Sequence, residues 1–472
     1  MQRRSRNFLL VVAILLFLVA APAIIFWARG YYIDTQRGEV VRTGMILIDT
    51  NLPRVKVAVD EQAANTESDP IAVRGLNPGR HRVQLEQEGY ATWETELEVK
   101  PEMVTRVDNV VLVKSQPKLA TLSTGPVGAF SASPNGAYAA YIVSDGQSAG
   151  LWLHAASDGE EDRQLLSGKD LAKDVAIGSV DLLRWSEDGK AILVHAGARW
   201  WLLAPHVSTP MAIALAYLDN VPPANVQADP SESTTVVYRD DQGILWRWRT
   251  AEPKALPEKV ASEVLEFYVA PPKIFLVQRL DQKTELKTVD LRVAERKLEP
   301  VVEFDAPADS VDLQVALGGG QVAAIAGGKL TVLRQEAGNL RFVEVAQGVD
   351  VAHWSDDGDL LVYRIGSEIW AYEVQPLSQD EPSFLVTRLT SPPDGLQWYP
   401  DKRHLVVQNP EGDQTTVQLL HISRTAPLLS TLFSAKLTND QVAFVRRGAD
   451  SIFVDTNSGE LVSASITLGP GD

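Results

Sequence analysis

The strongest constraint on what this chain can fold into is a five-residue pattern that returns. Trp185-Ser186-Glu187-Asp188-Gly189 leads into Ala191-Ile192-Leu193-Val194, and Trp354-Ser355-Asp356-Asp357-Gly358 leads into Leu360-Leu361-Val362-Tyr363. In each, a second tryptophan (Trp201, Trp370) follows twelve residues after the glycine. Ser133-Pro134-Asn135-Gly136 with Trp152 is a third copy with a longer hairpin, and Trp398-Tyr399-Pro400-Asp401-Lys402 with Leu405-Val406-Val407 is a fourth without its glycine. Asp-Gly suits a tight strand connection, and the apolar run behind it reads as a strand buried on both faces.

Weaker copies fill the gaps: Val236-Val237-Tyr238 with Leu245-Trp246, Ile274 to Val277, Val322 to Ile325, and Val442 to Val445. The starts fall near 128, 181, 226, 265, 311, 351, 396 and 436, spaced 39–53 residues apart. A period of about forty residues made of short strands predicts a β-propeller with four strands per blade. The expected fold is all-β, with a propeller of eight, or alternatively seven, blades over 118–468. One blade cannot bury both its faces, so the ring must close, and Leu119-Ala120-Thr121-Leu122 is placed to complete the last blade. The repeat resembles those of TolB-like and other WD40-like bacterial proteins. That resemblance implies the fold and leaves activity open, because propellers host hydrolases, lyases and binding scaffolds alike.

The N-terminus fixes an address. Arg3, Arg4 and Arg6 precede Phe8 to Trp27, an uncharged apolar run. As a helix it is about 30 Å long, the thickness of a bilayer's hydrocarbon core. A cleaved signal has a shorter apolar core, roughly 7–15 residues, ending in small residues. Here the candidate Val19-Ala20-Ala21 is followed by Pro22 and more apolar sequence, and Trp27, Tyr31 and Tyr32 suit an interface. The expectation is a cytoplasmic tail (1–7), an uncleaved transmembrane helix (8–28) and a juxtamembrane stem (29–42), with the body outside the cell membrane. The chain has no cysteine, which excludes disulfides, thiolate metal sites and a cysteine nucleophile. Net charge is −17; the first 29 residues carry four arginines and no acid, leaving −21 beyond them. Such a body disfavours nucleic acid as a partner.

From Gly44 the apolar period becomes two: Met45 to Ile48, Val55 to Asp60, His81 to Glu86 and Thr95 to Val99, with Leu76-Asn77-Pro78-Gly79 as a turn. This reads as a small antiparallel β-sandwich. Gly44, Pro53, Asp60, Leu76 with Pro78-Gly79, His81, Gly89-Tyr90, Trp93 and Leu112 fit the pattern of the PEGA domain family, which residues 43–113 resemble. The chain departs from it at the name-giving tetrapeptide, here Pro53-Arg54-Val55-Lys56, and has Asp69-Pro70 where Thr-Pro is usual. The resemblance implies an extracytoplasmic β module near a membrane anchor, without a known catalytic role.

No motif supplies convincing chemistry. Gly146-Gln147-Ser148-Ala149-Gly150 matches a nucleophile elbow, but a strand follows it where a helix is required. The histidines at 81, 154, 195, 206, 353, 404 and 421 lack metal spacing, and Gly318-Gly319-Gly320 with Gly327-Gly328 lacks the lysine and helix of a phosphate loop. The acidic pairs Asp240-Asp241, Asp356-Asp357 and Glu160-Glu161-Asp162 read as solvated turns. Of eleven tryptophans, Trp200, Trp248 and Trp398 fall outside the regular repeat positions and are the candidates for exposed faces on which sugars could stack. The expected role is a non-catalytic scaffold of the bacterial cell envelope, binding proteins or glycans, with no cofactor. The alternative is a hydrolase or lyase with its site in the propeller channel.

Overall fold

In a computed structural model the chain divides into two compact units, Met1–Ser115 and Gln116–Asp472. It describes residues 12–22, 24, 31–34 and 39–465, without 65–69, 156–160, 251–254, 305–310, 377–380, 446–450 and shorter stretches of one to three residues. Side chains of 31–41 and 436–458 are also outside the description.

In the first unit, residues 12–22 and 24 are helical. Among the described residues no helix is long and apolar enough to cross a membrane, and both ends of the 8–28 segment, with Trp27, lie outside them. The stem contains a two-stranded hairpin, Tyr31–Asp34 with Glu39–Arg42, where the sequence suggested only a connector. Two sheets follow. One orders Ile71–Leu76, Gly44–Thr50 and Val104–Val110; the other orders Gln62–Ala63, Lys56–Val59, Gly79–Glu86 and Trp93–Val99. Ile46, Ile48, Val57, Val83, Leu85, Trp93, Leu97 and Val107 are buried in this unit.

The expectation of a purely antiparallel sandwich needs correction here. The first strand, Gly44–Thr50, pairs parallel with Val104–Val110. These are the first and last strands of the two sheets, so no hairpin joins them, and the long intervening chain permits a parallel partner. Gly44 is required sterically: a Cβ there would come within 2.5 Å of the Lys100 carbonyl oxygen.

The second unit is built from eight four-stranded antiparallel sheets among the described residues, resembling the blades of a propeller. Their first strands are Val127–Ala132, Val180–Trp185, Val226–Ala228, Val264–Ala270, Val311–Val315, Val351–Trp354, Gly395–Trp398 and Leu437–Val445. They begin within a residue or so of the starts expected from the repeat. Sheets one to seven use four consecutive strands each. The eighth takes three from the C-terminal end and its outer strand, Lys118–Thr121, from the start of the unit. The register Leu119↔Ala464 and Ala120↔Ser463 closes the unit on itself, as the sequence suggested.

Second strands such as Ile192–Ala196 and Leu360–Ile365 are almost wholly buried, and the packing runs from sheet to sheet. One cluster joins Leu151 and Leu153 of sheet one to Leu183, Trp185 and Trp201 of sheet two. Another joins Leu193 and Trp200 of sheet two to Val236 and Trp248 of sheet three. At the closing junction Leu461 packs with Val127, Phe130 and Tyr141 of sheet one. A fully buried side chain of this kind stabilises by about 1.5–3 kcal/mol, so these clusters dominate the cohesion of the ring.

Candidate functional site

The recurring turn shows how the sequence builds one end of the ring. Ser186 Oγ accepts the Ala191 and Lys190 N–H groups and donates to Asp188 Oδ1 at 2.7 Å; Ser355 Oγ accepts Leu360 N–H and donates to Asp357 Oδ1 at 2.6 Å. Gly189 and Gly358 take φ of 68° and 74°, which only glycine adopts without strain. Ser and Asp are consumed by the turn, while the residue between them, Glu187 or Asp356, is not.

Glu187 uses that freedom. Tyr268 Oη, from the first strand of sheet four, donates to Glu187 Oε1 at 2.8 Å. The bond therefore links sheet two to sheet four, which are not consecutive in the chain. Burial pushes the Glu187 carboxyl above its ordinary value; the Tyr268 hydrogen bond opposes this and the charge of Asp356 in sheet six adds to it. Burial, then Glu187 and Asp356, push the Tyr268 phenol strongly up. Glu187 Oε2 is buried without a hydrogen-bond partner. The group is a carboxyl biased toward holding its proton, tied to a phenol, with a second, exposed carboxylate near enough to repel it.

Other inner-strand polar groups are committed to structure. Trp185 Nε1 donates back to the Ser131 carbonyl, Trp354 Nε1 to Gln314 and Trp398 Nε1 to His353, each joining a sheet to the one before. Arg184 Nη1 reaches forward to the carbonyls of Pro223 and Val226, and the Gln227 side chain bridges Phe267 O and Val269 N–H. Burial lowers the pKa of Arg184 and of His353, and raises that of Glu266.

Two of the three stacking candidates are buried. Trp200 is 1% exposed and donates to the Val221 carbonyl at 3.0 Å; Trp248 is 8% exposed, donates to Ala255 and meets Tyr217 edge-on. Both fill the junction between sheets two and three, so neither has a face free for a sugar. Trp398 is half-buried against the cluster joining sheets six and seven. Trp200 and Trp248 lie on the third strands of their sheets, Trp398 on the first strand of its own.

Three of the histidines of the ring pair with acids, and His404 also stacks on His421. Nδ1 of His154, His195 and His404 lies 2.6 Å from Asp162, Asp181 and Asp401 respectively. Among the described residues no group of three or more His, Asp or Glu could hold a metal ion. Gly146 to Gly150 is a turn entering a strand, and Gly327-Gly328 is a hairpin turn. The acidic turns are less idle than expected. Asp240 caps its turn through Gln242 and Ile244 N–H and receives Trp246 Nε1, and Asp162 receives both Tyr141 Oη and His154. Glu160 lies outside the described residues. Sequence reasoning did not single out Tyr268 or Glu187; the signal available was the uncommitted third position of the turn.

The PEGA domain model matches residues 43–116. No curated protein matches the chain. Among solved structures it is similar to Sqt1 of Saccharomyces cerevisiae, at 13% identity and a TM-score of 0.46, over 75% of this chain and 98% of that one. It is also similar to Hsv2 of Kluyveromyces lactis, at 11% identity and a TM-score of 0.44, over 66% and 99%. A third is the β-propeller domain of Myceliophteria thermophila Cps50 (Swd1), at 10% identity and a TM-score of 0.40, over 75% and 100%. Likenesses at these scores say nothing of activity or partner; the resemblance to a propeller rests on the strand pairing itself.

Proposed function

We propose that this protein is a non-catalytic scaffold held at the outer face of a bacterial membrane, with the eight-sheet ring as its platform for envelope proteins. Residues 8–28 are the anchor, with the N-terminus in the cytoplasm, and the PEGA-like segment follows the anchor and precedes the ring in the sequence. The observation that carries the scaffold reading is the use of polar groups on the inner strands. Trp185, Trp354, Trp398, Arg184 and Gln227 spend their hydrogen bonds on the neighbouring sheet, which makes the ring a stiff body. A rigid surface binds with little ordering cost. Glycan partners lose their support with Trp200 and Trp248 buried. The test is affinity purification from membranes in mild detergent at low salt, comparing the full chain with one ending at Ser115. Proteins retained by the full chain alone support the reading; identical, empty eluates from both would oppose it.

One observation favours the second reading, an enzyme with a central site: Glu187, Tyr268 and Asp356 come from three sheets. It requires a turnover that Glu187→Gln abolishes while the variant remains at least as stable as wild type.

A further inference from the structure

The PEGA-like unit contains a histidine whose two contacts cannot both be served by a neutral ring. His81 lies on the strand Gly79–Glu86, directly opposite Leu97. Its Nδ1 is 2.7 Å from Asp60 Oδ2, and its Nε2 is 2.7 Å from the Asn77 carbonyl oxygen. A carbonyl oxygen only accepts. Asp60 also accepts, since its Oδ1 already takes the Arg82 N–H at 3.0 Å. Burial opposes ionisation of Asp60, but the hydrogen bonds from His81 and the Arg82 N–H hold its carboxyl below the ordinary value. A neutral imidazole has one N–H and one lone pair, so it can serve one of these oxygens and must turn a lone pair on the other.

The two acceptors belong to different turns. Asp60 and Glu61, both in the left-handed region with φ of 51° and 65°, follow the strand Lys56–Val59; Asn77 opens the turn that leads into the His81 strand. The His81 ring touches both turns, with its side chain only 12% exposed, while the Asp60 N–H also donates to the Arg82 carbonyl at 2.9 Å. Charges along the same strand are diverted elsewhere: Arg82 Nε to Glu94 at 2.6 Å, and Arg80 to Glu96 at 3.8 Å. Asp60 is therefore the charge that faces the ring from the 60–61 turn, and Leu97 presents none from the adjacent strand.

We propose that His81 is a proton-operated clasp: as imidazolium it ties the Asp60 turn to the Asn77 turn, and loss of one proton releases one of them. Acid closes this end of the PEGA-like unit and base loosens it, independently of what the ring binds.

The test uses the full chain in detergent, labelled with 15N-histidine, with the His81 signals assigned by their loss in His81→Gln. Between about pH 5 and about pH 8, the range in which histidine charge changes, both ring nitrogens of His81 should carry protons at the acid end. As one is lost, amide protection of 58–63 and 75–82 should fall with the same midpoint. Asp60→Asn keeps the shape and removes the charge, so its transition should move to lower pH. His81→Gln should show no transition in those peptides. A His81 that holds a single proton throughout, or a loss of protection that persists unchanged in His81→Gln, overturns the clasp.

Discussion

Asp229→Ala tests whether one buried ion pair holds the turn of sheet three. Asp229 stands where Ser186 and Ser355 stand in their sheets, its N–H donating to the Thr235 carbonyl as that of Ser186 does to Ala191. In place of a hydroxyl it offers a carboxylate, which accepts Arg247 Nε at 2.8 Å and Nη2 at 2.7 Å. Asp229 is fully buried and Arg247 is 3% exposed. Removing one partner of such a pair costs about 3–5 kcal/mol, because the other charge stays buried and unpaired. The lower end of that range applies, since Glu232 still accepts Arg247 Nη2 at 2.9 Å. Replacing both partners, Asp229→Ala with Arg247→Met, removes the stranded charge and should recover most of the loss, as apolar replacements of buried pairs often do. The assay is urea unfolding followed by tryptophan fluorescence, with slopes compared to confirm that only stability changed. An Asp229→Ala variant within about 0.5 kcal/mol of wild type, the range of ordinary surface changes, would refute the reasoning. So would a double variant whose loss is the sum of the two singles.

Two further outcomes follow from the same geometry. Glu187 has a raised pKa in the fold, so its protonated form stabilises the native state at acid pH, and that contribution is lost as pH rises through the folded value. Glu187→Gln keeps an acceptor for Tyr268 and never ionises, so its melting temperature should exceed wild type at neutral pH and match it below about pH 4; the same difference at both pH values would contradict the assignment. Ala120→Cys with Ser463→Cys places the chain's only thiols on facing residues 343 positions apart. The oxidised form should gain roughly 3–5 kcal/mol over the reduced form in urea, and failure of the two thiols to join would contradict closure by the N-terminal strand.

The fold was legible where the chemistry is local. Ser, Asp and Gly in the Trp-Ser-x-Asp-Gly turn bond to one another within five residues, so the pattern survives in the letters wherever the turn does. Sheets three and seven keep the turn with other letters: Asp229 caps Ser231, and Asp401 caps Arg403 and His404. The copy in sheet three therefore reads as weak, and the one in sheet seven lacks its glycine, although both sheets are complete. The parallel pairing of Gly44–Thr50 with Val104–Val110 and the Tyr268–Glu187 bond, 81 residues apart, depend on contacts that no local period encodes. The tryptophans misled for a related reason. Trp200 and Trp248 break the repeat's spacing because they pack against the loop containing Val221 and the segment at Ala255, and irregular spacing is no guide to exposure.

The central claim is that a rigid ring is held outside a membrane by residues 8–28. Protease added to intact bacterial cells producing the full chain, followed by an alkaline wash of their membranes, tests it in one experiment. The account predicts that the ring is accessible from outside before lysis, that the N-terminal fragment stays with the washed membrane, and that a chain without residues 1–29 does neither. A full chain that is protected until the cells are broken, or that leaves the membrane in the wash, would contradict it.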